Sequence, residues 1–194
     1  NVTVEDGGII DPGYGTVTVD GSLATTGNGL LRQSSGSIQV GQNASFAGTS
    51  ELTGGYLEIG GNFEQVGTTS FQAPLGHMTV FRNSMVEQTV SFEAPDTLSE
   101  GSGTHSGSHF GNMQMSASGG VVRLLTDAAV QGTFSIGTGV IATLTGTRTL
   151  FTRGLSQNGI TIDGTLLVLL DGEAGQYLNF SGAQLGVQGE LRRD

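Results

Sequence analysis

Four segments, Gly15-Thr-Val-Thr-Val-Asp-Gly-Ser22, Gly36-Ser-Ile-Gln-Val-Gly-Gln-Asn43, Gly55-Tyr-Leu-Glu-Ile-Gly-Gly-Asn62 and Gly76-His-Met-Thr-Val-Phe-Arg-Asn83, align on a leading glycine at spacings of 21, 19 and 21. Positions two and four after the glycine are apolar in every copy: Val17 and Val19, Ile38 and Val40, Leu57 and Ile59, Met78 and Val80. The residue between them is polar: Thr18, Gln39, Glu58 or Thr79. Such alternation predicts a β-strand with one face buried. A period near twenty with short strands and glycine-bearing corners predicts an all-β parallel β-helix, a β-solenoid with coils of about 20 residues. One coil cannot bury its own apolar face, whereas stacked coils make a continuous core. An antiparallel β-sandwich is the alternative, because it also has short strands and frequent turns. It does not require a strand pattern that recurs four times.

Seven residues after the glycine stand Ser22, Asn43, Asn62 and Asn83. Stacked in register about 4.8 Å apart, Asn43, Asn62 and Asn83 would form a hydrogen-bonded ladder. Asparagine is equally a good turn residue, and both readings put a turn at this position. In the fourth copy, inward Met78 makes its neighbour His77 an outward surface residue. Phe46, Phe63, Phe71, Phe81 and Phe92 read as core residues stacked from coil to coil, not as an exposed sugar-binding row.

From Ser84 to Phe92 the pattern drifts, and an inserted loop rich in Gly, Ser and Thr is expected near 95–109. Strands resume at Met113 and Met115, Val121 to Leu125, Val130, Phe134 and Ile136, Val140 to Leu144, Leu150 and Phe151, Ile160 and Ile162, and Leu166 to Leu170. No linker interrupts them, so a single solenoid domain over 1–194 is expected.

Composition limits the functions this chain can have. It has 194 residues, 34 of them Gly, with no Cys and no Trp; Lys+Arg is 7 against Asp+Glu 17, a net charge of -10, and every basic residue is Arg. Without Lys there is no P-loop phosphate binding or Schiff-base chemistry. A negative chain with scattered cations gains little from counterion release, which disfavours nucleic acid as a partner. Without Cys there is no disulfide scaffold. The longest aliphatic run, Leu166 to Leu170, is too short to span a bilayer. Surfaces that are polar without being ionic suit an extracellular or cell-surface location.

The blocks Gly61-Asn-Phe-Glu-Gln, Glu87-Gln-Thr-Val-Ser-Phe, His109-Phe-Gly-Asn-Met-Gln-Met and Gly132-Thr-Phe-Ser-Ile-Gly follow one another along the chain. Over residues 15 to 172 the sequence resembles large secreted bacterial surface β-solenoids of the filamentous-haemagglutinin-like and autotransporter-like kind. The resemblance implies an exported, extended stalk, adhesin or matrix component, and it brings no catalytic residue with it.

Parallel β-helices also include polysaccharide-degrading enzymes, so catalysis is weighed on residues. Glycoside hydrolysis needs two carboxyls about 5 to 9.5 Å apart in a cleft. Asp20, Asp163 and Asp171 precede glycine in turns, and Glu58 is an outward strand residue; no nucleophile elbow or zinc-protease motif is present. No catalytic residue and no metal site is therefore expected, and no ligand-binding residue is assigned. The weak metal candidates are His105 and His109, four apart in a Gly/Ser loop with Asp96 and Glu100 nearby, and the acidic start Glu5, Asp6 and Asp11, where calcium is the cofactor considered. The expected function is a noncatalytic structural or adhesive module, either a stalk segment or a self-stacking fibre subunit. Its partners would be copies of itself or flanking repeats. The alternative is a carbohydrate-binding or polysaccharide-degrading β-helix with glycans as partners. Flat threonine rows would suggest ice binding, but no Thr-x-Thr recurs in successive coils.

Overall fold

The structure, a computed structural model, describes residues 1–83, 85–96, 107–116, 120–136, 141–156, 159–169, 177–179, 184–187 and 190–193. Among these residues every assigned element is a β-strand, and every pairing between strands is parallel, which rules out the sandwich. The chain is a parallel β-solenoid with three faces. The first face stacks Val2–Val4, Leu23–Thr25, Ala44–Phe46, Phe63–Gln65, Gln88–Phe92 and Val121–Leu124. The second stacks Ile9–Ile10, Leu30–Gln33 and Thr49–Leu52, and continues through the bridges Gln72 to His109 and Phe110 to Val130. The third stacks Thr16–Val19, Ser37–Val40, Gly55–Ile59, His77–Phe81 and Asn112–Met115.

Further along, strands run from face to face. Ile141–Ser156 pairs successively with Val121–Leu124, with Ala128–Val130 and with Thr133–Ser135. Gly159–Leu169 follows it in unbroken register from Ala142 on Ile160 to Phe151 on Leu169. Tyr177–Asn179, Gln184–Val187 and Glu190–Arg193 stack beyond. These strands match the expected ones, although Leu125 falls just past its strand. Val140 and Leu170 lie outside the described residues.

The core is a set of columns parallel to the axis. Val19, Val40, Ile59, Phe81 and Met115 form one, and Leu23, Ala44, Phe63, Val90 and Leu124 another, all buried. Each column buries apolar surface that a single coil would leave wet, at about 25 cal/mol per Å². Gly55 shows why glycine stands at a corner. Its φ is +91°, and a Cβ there would lie 2.7 Å from Ser35 O and 2.8 Å from Gln33 Nε2.

The fourth copy departs from the sequence alignment. His77 pairs with Gly55, Thr79 with Leu57 and Phe81 with Ile59, so it is Thr79, one position later than the aligned Met78, that stands over Leu57. His77, Thr79 and Phe81 point inward and are buried, while Met78 and Val80 lie on the outer face, beside Tyr56 and Glu58 of the coil below. The corner before this strand carries the extra residue, closed by His77 N donating to Pro74 O at 2.9 Å. With a side-chain period of two, a slip of one residue exchanges the faces. The stretch read as drifting holds a regular strand, Gln88–Phe92, with Gln88, Val90 and Phe92 inward.

Candidate functional site

Six phenylalanines meet in the middle of the described core. Phe63 lies 5.7 Å from Phe46, 5.1 Å from Phe71, 6.5 Å from Phe81, 5.3 Å from Phe92 and 4.7 Å from Phe110, between ring centroids. The five expected in the core are all buried there. Sequence reading misses Phe110, because it stands in the loop-like run beside His109. Tilted and edge-on rings at these distances add about 0.5–1.5 kcal/mol per pair beyond the area they bury.

Three glutamines that sequence reading also misses face inward and close the corners. Gln33 Nε2 donates to Tyr56 O at 2.8 Å and Gly36 O at 3.3 Å. Gln65 Nε2 donates to Gly67 O at 2.7 Å and Ser70 Oγ at 2.9 Å. Gln88 Nε2 donates to Gly61 O at 2.6 Å and Ile59 O at 2.9 Å. All three are buried. A carbonyl left bare inside a corner would cost about 1–3 kcal/mol, and an amide at the end of an inward column supplies donors to the corner. The available signal is a polar residue in the apolar phase of the alternation, as in Leu31-Arg32-Gln33.

The asparagine positions form a relay from side chain to backbone. Asn1 Oδ1 accepts from Ser22 N, Asn43 Oδ1 from Asn62 N and Asn62 Oδ1 from Thr89 N, each at 2.9 Å. Each amide thus holds the backbone of the next coil. Asn83 does not stand in this line. Its Nδ2 donates to Gly60 O at 2.7 Å, and its Oδ1 accepts from Met85 N and Val86 N, closing its own turn.

Charge is arranged along the axis on the outside. Arg32 Nε donates to Glu51 Oε2 at 2.8 Å in the next coil, and the guanidinium pKa is raised, chiefly by that hydrogen bond and charge and lastly by Asp11. Arg82 Nη1 donates to Glu58 Oε2 at 2.6 Å, and Glu58 Oε1 accepts from Ser37 and Gln39 at 3.3 Å. Arg123 forks onto Glu87 at 2.7 and 2.8 Å, and its hydrogen bond lowers the Glu87 pKa.

The acidic start serves the backbone. Asp6 Oδ1 accepts from Asn28 N at 2.5 Å, Asp11 Oδ1 accepts from Gly13 N at 2.8 Å, and Glu5 is exposed. His109 does not lie in solvent. It is buried, its Nδ1 is 3.2 Å from Gly107 O and 3.8 Å from Asp96 Oδ2, and Asp96 is buried with it. Pro95 bridges to Ser108 and Gln72 to His109, so these residues at the two ends of the expected loop stand in the stack, while residues 97–106 lie outside the described residues. His105 and Glu100 lie outside the described residues. Among the described residues no three His, Asp or Glu side chains gather to hold a metal ion, and no helix is long and apolar enough to cross a membrane.

Comparison of the chain with protein-family models, with curated proteins and with solved structures finds no match. The parallel β-solenoid is the part of the resemblance to secreted surface proteins that the structure carries.

Proposed function

We propose that this chain is a noncatalytic structural or adhesive module of an extracellular or cell-surface protein, a stiff solenoid segment that works as a stalk or stacks into a fibre. The supporting observation is the parallel ladder itself, which continues on all three faces and encloses a core closed by apolar columns and corner glutamines. Backbone hydrogen bonds along the axis resist stretching, and the columns resist bending, without any crosslink. The expectations of no enzyme activity and of glycans as an alternative partner belong to the same test. Negative-stain electron microscopy across protein and calcium concentration should give stiff rods or filaments. Dispersed short particles that bind a glycan array or cleave a polysaccharide would replace this reading with the carbohydrate-directed one.

A further inference from the structure

We propose that His77 is an acid-operated latch inside the solenoid: as a neutral imidazole it ties the fourth coil to the second through Gln33, and when it takes up a proton the stack opens at its strand. The geometry starts at Gly55 of the third coil. No side chain stands there, so Gln33 reaches past it, donates to Tyr56 O and Gly36 O, and presents its Oε1 to His77 Nε2 at 3.1 Å. Because both amide hydrogens of Gln33 are committed to carbonyls, its oxygen must accept, and His77 carries its proton on Nε2. Nδ1 is then a bare lone pair. Among the described residues it is buried without a partner, and so is Thr79 Oγ1, the next inward residue on the same strand.

A second proton would have to sit on that Nδ1, where burial penalises the charge and no charged group faces it among the described residues. Below it lie Gly55 and the neutral Gln33; beside it is Phe71, its ring nearly perpendicular at 6.0 Å between ring centroids; above it Gly111 packs against the His77 carbonyl. The buried pair Asp96 and His109 belongs to the adjoining second face, and neither it nor any other charged group shifts His77, whose pKa burial alone lowers to about 4. The ordinary value is 6.5. Between those limits the unfolded chain binds a proton that the folded chain refuses, so the stability this side chain contributes falls as pH drops from 6.5 to about 4 and is level outside that window. The factor carried by this one side chain is about 300-fold in the unfolding constant.

The latch is internal, so rods and dispersed particles leave it equally testable. Urea unfolding of the full chain between pH 7.5 and 3.5 should show the wild type losing roughly that factor more than His77→Gln. A His77→Gln chain with the full wild-type slope overturns the proposal. If that variant does not fold, carbon-13 histidine spectra of the wild type decide. His77 should keep the neutral Nε2–H signature down to pH 5 in the folded chain, and a ring that titrates near 6.5 while folded overturns the latch. Amide exchange supplies the local reading: His77–Phe81 should lose protection at pH 5 relative to pH 7 more than Ser37–Val40 does. Equal loss in both strands refutes opening at this coil.

Discussion

The coils up to Ile59 and those from Phe63 to Phe134 share one parallel ladder but fill it differently. In the first, Val17 stacks on Ile38 and Ile38 on Leu57, at steps of 21 and 19, and the apolar core is aliphatic apart from Phe46. In the second, Thr79 stacks on Met113 and Phe63 on Val90, at steps of 34 and 27, and phenylalanine and methionine join the aliphatic residues in the core. Register is kept by columns and corner hydrogen bonds, while the chain between strands varies in length. Lengthening a loop costs little, because closure entropy grows only with the logarithm of its length. The irregular coils also hold the buried ionisable groups His77, Asp96 and His109.

The largest effect is expected at the aromatic centre. Phe63→Ala should cost about 3–5 kcal/mol in urea unfolding, against about 0.5–1.5 kcal/mol for Ile38→Val in the regular coils. Phe81→Ala should approach the first figure, whereas Val80→Ala, on the outer face, should cost at most about 0.5 kcal/mol. If Val80 proved the costlier of the two, the lengthened step into the fourth coil would be wrong. Next comes a corner: Gln88→Leu takes the amide donor from Gly61 O and the acceptor from Asn83 N, while Ile59 O keeps Arg82 N, and should cost about 1–3 kcal/mol. Asn62→Ala removes the acceptor for Thr89 N, with an expected loss of about 0.5–1.5 kcal/mol and faster exchange of the Thr89 amide. A matching loss from Asn43→Ala would show that the relay works alike in both regions. Smallest is Arg123→Gln, at most about 0.5 kcal/mol because the pair with Glu87 is partly exposed and screened.

Much of the architecture is legible in the sequence, and the reasons are local. Alternation with period two in Gly15 to Val40 and its recurrence in Gly55 to Ile59 leave few folds other than a solenoid, and the phenylalanines are identifiable as core by size. The fourth coil is not legible. His77-Met-Thr-Val-Phe81 alternates in either phase, and aligning on Gly76 favours the wrong one. The site residues read unevenly for a similar reason. Asn43 and Asn62 sit in a line that spacing reveals, but their partner is backbone of the next coil, and Asn83 falls out of line once the step lengthens. Asp96 and His109 are thirteen apart in sequence, and only the bridge between Pro95 and Ser108 brings them together.

The sequence by itself determined that strands form, that they are short in the first coils and alternate, and that coils must stack to bury one side of each. Those follow from the two-residue period of an extended backbone and from the insufficiency of a single coil. Only the tertiary structure decided which residues of the fourth coil face inward and which polar groups share the core. A one-residue change at a corner leaves the local pattern intact while exchanging inside for outside. The choice between the two phases belongs to the neighbours: the column above Ile59 and the ring of Phe63 accept Phe81, and Gln33, reaching past Gly55, accepts His77.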